Sequence, residues 1–179
     1  MNIFWLDRNL KRAAQQHVDK HVVKMLVEYT QLLSSSSRLG GLEQGYKLSH
    51  KKHPCTLWLL ESVENWQILY TLAEYLYEEY KWRYDELGRH KSYEVLQTLK
   101  TPPLPKVKFT EPPQCMPEQY KGNDFVVAYR NYYIGEKEYF AKWKYRDIPE
   151  WFNYEGILLP NNVRTRHREE DLKRKFIDI

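Results

Sequence analysis

The stretch from about Arg12 to Leu33 constrains the fold most. Val18, Val22, Met25, Tyr29, Leu32 and Leu33 recur there at intervals of three and four residues. That is the spacing of a helix face turned to a core, and it does not fit the period of two that a half-buried strand requires. The spacing predicts a helix over 12–33. Beside its apolar stripe, His17, His21, Lys24 and Glu28 stack on an adjoining face, because residues four apart lie one above the other. Any fold built on this helix must place two imidazoles, an ammonium and a carboxylate in line.

The rest of the chain continues in helices and loops. MNIFWLD reads as a short extended segment that buries itself at once. SSSSRLGGLEQG is a polar, glycine-bearing stretch and is expected to be a loop. The basic loop YKLSHKKHP follows and ends at Pro54, which suits the first turn of a new helix. Trp58, Leu59, Trp66, Leu69, Leu72, Ala73 and Leu76 carry a helical pattern over 54–87, with a break near Ser62-Val63-Glu64. A short helix is predicted over 92–99. TPPLPKVKFTEPPQCMP is too rich in proline for a helix and reads as an extended strap over the surface. A last helix is predicted over 124–143. No internal repeat is present. The expected fold is all-α: a compact single-domain helical fold, 1–160, with long irregular loops, followed by a charged, flexible tail over 161–179.

Composition narrows the function classes. A hydrophobic content of 42% excludes a disordered chain. Tyr and Trp number 15 and 6 against 6 Phe, which favours wet interfaces and base stacking as well as cores. The formal net charge of +4 permits a polyanionic partner without demanding one. The two cysteines, Cys55 and Cys115, form no CxxC pair, so neither a thiol-rich zinc site nor a disulfide scaffold is expected. The N-terminus reaches charges too soon for a signal peptide, and no apolar run of about 20 residues could span a membrane. The expectation is a soluble cytoplasmic monomer (in the host cell cytoplasm if viral), without cofactor.

Three readings fit the His17/His21/Lys24/Glu28 stripe. It is a solvated helix face, a metal site completed by His50 and His53, or a surface that handles anions. Lys24 would repel a divalent cation, and HEXXH is absent, which weighs against the metal. The anion reading is favoured because further basic groups lie in the same half of the chain. His50, Lys51, Lys52 and His53 make a compact cationic loop that suits a phosphate backbone, although a plain exposed loop has the same composition. Residues 78–92 interleave Arg83 and other basic residues with Tyr80, Trp82 and Tyr84, as nucleic-acid surfaces do and as flanked core helices also do.

The segment from Met116 to Gly156 adds order to these pieces. Pro117-Glu118-Gln119-Tyr120-Lys121-Gly122 is followed by a helix that contains Arg130 and ends in Gly135-Glu136-Lys137. Trp151-Phe152-Asn153-Tyr154-Glu155-Gly156 is an aromatic loop before a glycine. In this order the motifs resemble the C-terminal half of the pyrimidine-dimer DNA glycosylases of the phage endonuclease V type. The front half agrees loosely, through MNIFWLD, Lys20-His21-Val22-Val23-Lys24, and Gly45-Tyr46 through His53-Pro54. The whole also looks like a set of uncharacterised phage proteins. The resemblance covers residues 1–156 and rests on order rather than on a single specific motif.

The resemblance implies a DNA N-glycosylase/AP lyase acting on a damaged or modified pyrimidine, with duplex DNA as partner. An N-terminal amine would attack C1′, form a Schiff base and cleave the strand by β-elimination, while a carboxylate on the first helix stabilises the sugar cation. Asn2 leaves Met1 in place, so the amine here is that of Met1. The family's acidic position is occupied by His21, which leaves Glu28, two turns on, as the nearest carboxylate. Met1, His17, His21 and Glu28 are the expected catalytic residues. Lys20, Lys24, His50, Lys51, Lys52, His53, Arg83, Lys121 and Arg130 are expected on the DNA backbone, with Trp151 and Tyr154 as stacking wedges. The alternatives are a catalytically inactive nucleic-acid-binding module and a metal-dependent phosphoesterase or nuclease using His17, His21, His50 and His53.

Overall fold

The computed structural model describes residues 1–84 and 88–152. It is all-α, with no strand among the described residues. Six helices appear there: α1 (Leu10–Gln15), α2 (Asp19–Leu39), α3 (Pro54–Glu61), α4 (Val63–Tyr84), α5 (Lys91–Thr98) and α6 (Phe125–Lys137). α2 is the hub, packed on α3, α4 and α5. The segment Ile3–Leu6 is buried, as its apolar run predicts, and joins Met25, Tyr29, Trp58, Leu69, Tyr129 and Tyr133 in one core. None of the described helices is long and apolar enough to cross a membrane. The tail expected over 161–179 lies outside the described residues.

The predicted first helix is two helices. It breaks at Gln16–Val18 although no glycine or proline stands there. The break survives because side chains from distant elements take up the backbone groups that it frees. Arg83 donates to the carbonyls of Gln15 and His17, at 2.7 and 2.8 Å. Trp143 Nε1 donates to the Gln16 carbonyl at 2.9 Å, and His17 Nδ1 to that of Ala13 at 2.7 Å. The Asp19 N–H, at the start of α2, donates to the Lys142 carbonyl at 2.8 Å.

The serine run is helix rather than loop. Ser34 to Ser37 are buried inside α2. Ser34 donates to the Thr30 carbonyl at 2.6 Å, and Ser36 and Ser37 donate to that of Leu33, at 3.0 and 2.7 Å. Three of the four hydroxyls are satisfied within the helix and the fourth, that of Ser35, accepts the Ser49 N–H at 3.1 Å, so small polar residues line a close contact without loss. Gly45 fills that contact: its φ is +63°, and a Cβ there would collide with Ser34 Oγ. The break at Ser62 and the short helix α5 match expectation. α6 stops at Lys137, short of the predicted 143, and gives way to a tight turn over Glu138–Phe140.

The proline-rich strap is extended and pinned. Asn65 on α4 donates to the Thr110 hydroxyl at 2.8 Å and accepts from the Thr110 N–H at 3.1 Å. Trp58 Nε1 donates to the Thr110 carbonyl at 3.0 Å, and the Tyr129 hydroxyl to that of Pro113 at 2.7 Å. The strap therefore ends, at Cys115 and Met116, over the N-terminal segment and α3.

Candidate functional site at the N-terminal segment

The helix stripe divides into two parts. His17 and His21 are buried, at 0% and 6% exposure. His17 Nδ1 donates to a carbonyl, so its Nε2 is the acceptor for the Tyr29 hydroxyl at 3.0 Å, which in turn accepts the Phe4 N–H. His21 Nδ1 accepts from the Tyr133 hydroxyl at 2.6 Å, and its ring stacks on Phe4 with centroids 4.7 Å apart. Burial holds both imidazoles neutral: His17 is lowered to about 4 and His21 to about 3. They tie the N-terminal segment to α2 and α6. Four histidines do not come together as a metal set, since both ring nitrogens of His17 are engaged within the core.

Lys24 and Glu28 lie toward solvent from that core and form an ion pair of 3.2 Å. The Glu28 side chain is 14% exposed, whereas that of Lys24 is 69% exposed. Lys137 faces the same pair. Burial lowers its pKa first, Glu136 opposes the shift, Lys24 adds to it and Glu28 opposes it less than Glu136 does. Lys20 is exposed, its ammonium 5.1 Å from the centre of the Phe140 ring.

His53 brings the amino group of Met1 into the same place. Its side chain caps α3 by accepting the Cys55 N–H at 3.2 Å, and its ring is also hydrogen-bonded to the Met1 backbone. Its pKa is lowered, first by burial, then by the Met1 ammonium and His50, while Glu28 pulls the other way. One imidazole thus senses the N-terminal amine and the Glu28 carboxylate together. Cys55 and Cys115 complete the surroundings, with their sulfurs 3.6 Å apart. The hydrogen bond between them pulls the Cys115 thiol down to about 7, assisted by the Met1 ammonium and Lys121, and pushes Cys55 up. His50, Lys51 and Lys52 stand exposed on the adjoining loop.

Other expected DNA contacts sit elsewhere. Arg83 is buried, with a side-chain exposure of 0%, and its guanidinium is fully engaged by Glu79, Asp19 and two carbonyls. It closes the α1–α2 break and does not reach a phosphate. Arg130 donates to the Leu6 carbonyl at 2.7 Å, pairs with Asp7, and stacks 5.3 Å from the centre of Trp151. Trp151 is half-buried and donates to Gln16 Oε1 at 2.9 Å, so it packs on the fold rather than standing free. Lys121 is exposed and pairs with Glu118. Tyr154 lies outside the described residues.

The residues behind the family resemblance have packing roles. The Tyr120 hydroxyl donates to Glu136 at 2.9 Å and presses on Gly135, where any Cβ would collide with it. Gln114 brackets Gly122 through its carbonyl and N–H, at 2.7 and 3.0 Å. Sequence reasoning missed Lys137 and the cysteine pair. The first lay hidden at the end of a helix, and the second is 60 residues apart in the chain. The His53-Pro54-Cys55 spacing was the one local sign. Compared with models of protein families, with curated proteins and with solved structures, the chain finds no match.

Proposed function

We propose that the protein is a DNA N-glycosylase/AP lyase acting on a damaged or modified pyrimidine, with its site at the N-terminal segment. The observation that carries this reading is the convergence of the Met1 amine and Glu28 on His53. An amine nucleophile must be held against the sugar carbon that it attacks. His53 positions it through the hydrogen bond between its ring and the Met1 backbone. Lys24, Lys137 and His50 suit a phosphate backbone.

In this mechanism the Met1 amine adds to C1′ while the N-glycosidic bond breaks and the base departs with a proton. Glu28 stabilises the positive charge on the sugar. The ring opens to an imine, loss of a C2′ proton expels the 3′ phosphate, and water releases the enzyme. His17 and His21 act only by holding Phe4 and the segment behind Met1 in place.

Borohydride trapping tests the reading. The protein is mixed with duplexes containing a pyrimidine dimer, an abasic site or neither, then reduced. A covalent adduct on the dimer and abasic duplexes, mapped to the N-terminal peptide and lost in Glu28→Gln, is the expected result. DNA binding without any adduct would reject the lyase and leave a binding module.

A further inference from the structure

The cysteine pair has a use that the lyase reading does not give it. His53, Cys55 and Cys115 offer one imidazole nitrogen and two sulfurs, all within 4.8 Å of one another. These are among the ligand types that hold zinc, and no other such group of His, Cys, Asp and Glu occurs among the described residues. The sulfur spacing fits as well. Zn–S bonds of about 2.3 Å and Zn–N bonds of about 2.0 Å, opened to a tetrahedral angle, put two sulfurs about 3.8 Å apart and a sulfur and a nitrogen about 3.6 Å apart. The two sulfurs stand at 3.6 Å.

The donors are also fixed before any ion arrives. His53 is placed by its cap on α3 and by the Met1 backbone, and its Nδ1 exchanges the Cys55 N–H for the ion on binding. Cys55 is buried in the first turn of that helix. Cys115 is brought by the strap, which Asn65, Trp58 and Tyr129 pin on either side of Pro112. A prearranged set of soft donors from two distant parts of the chain is how a protein selects zinc over harder cations.

We propose that His53, Cys55 and Cys115 bind one zinc-class ion, with three protein ligands and a fourth position open to water or an amine. Binding expels both thiol protons as two metal–sulfur bonds form. The ion ties the strap to the start of α3, directly behind the N-terminal segment. This inference shares His53 with the lyase reading, and its test involves no DNA.

Reduced, metal-free full-length protein is titrated with cobalt(II) and then with zinc. One equivalent of cobalt is expected, with thiolate-to-metal charge-transfer absorption and the intense visible bands of a tetrahedral ion, displaced by one equivalent of zinc. Cys115→Ser should abolish the charge-transfer band while leaving far-ultraviolet circular dichroism unchanged, since this side chain is only half-buried. His53→Asn keeps a good helix cap but removes the imidazole, and should weaken cobalt binding by roughly tenfold or more. Cobalt bound without a thiolate band, or an unchanged spectrum in Cys115→Ser, overturns the site. So does a Cys55–Cys115 disulfide that persists in the reducing buffer as the sole form.

Discussion

Arg83 shows what one residue does when the chain leaves backbone groups unpaired. Its Nε donates to Glu79 at 2.7 Å, and its two terminal nitrogens reach Asp19, His17 and Gln15. Arg146 holds the other side of Glu79, at 2.9 and 3.0 Å. Removing the guanidinium strands two carbonyls and leaves the buried Glu79 carboxylate with Arg146 alone. Arg83→Met should therefore lose about 3–5 kcal/mol in urea unfolding at pH 7. Lys24→Ala, which removes the exposed half of an ion pair, should stay within about 0.5 kcal/mol. The two buried histidines make a second prediction. Their folded pKa values, about 4 and about 3, lie below the ordinary value of 6.5, so the unfolded chain binds more protons between those limits. Stability is then fully present above pH 6.5 and is lost as the pH falls toward 4. At pH 5 the loss is on the order of 2 kcal/mol for each histidine. Unfolding midpoints measured from pH 7 to 5 should fall, and His17→Gln should flatten the slope.

At the scale of elements, the strap is the test case. It has no regular structure of its own and depends on a few side chains of α3 and α4. Asn65 is fully buried and makes two of those bonds, both with Thr110, and a third to the Trp58 carbonyl of α3. Asn65→Ala should lose about 2–4 kcal/mol, because each stranded buried group carries its own desolvation penalty. Limited proteolysis should then cut within 102–116 well before the helices. The strap, the break at Ser62 and the helices α3 to α5 were legible in the sequence because proline content and apolar periodicity act locally. The break at Gln16–Val18 was not, because its causes are Arg83 and Trp143, more than sixty residues away. The serine run misled for a related reason. Its residue types favour loops, yet Ser34, Ser36 and Ser37 each find a carbonyl in their own helix, Ser35 binds Ser49, and Gly45 covers the run. For the candidate site, periodicity placed Glu28 and Lys24 on one face, but it did not separate them from the core histidines beside them. Only the folded core tells an imidazole bonded to tyrosine from one that faces solvent.

The whole molecule sets the electrostatics of any polyanion partner. The net charge of +4 is modest, so binding must draw on where cations gather rather than on their total. Among the described residues, one group of them lies around the N-terminal segment. Lys24 and Lys137 act on one another beside Glu28, Lys121 acts on Cys115, and His50 acts on His53. Lys51 and Lys52 are exposed next to His50. By contrast, Arg83 and Arg130 are spent on internal carboxylates and carbonyls, so they add little to an external field. If Lys51, Lys52, Lys121 and Lys24 each neutralise one phosphate, the logarithm of the binding constant should fall with the logarithm of salt at a slope of about −3.6. The joint variant Lys51→Ala, Lys52→Ala and Lys121→Ala should reduce that slope by about 2.7, with equal loss on damaged and undamaged duplexes, since phosphate contacts carry no sequence information. Fluorescence anisotropy across a salt series measures both. An unchanged slope in the triple variant would move the DNA-facing surface away from the N-terminal segment, and the lyase chemistry would lose its means of holding a strand there.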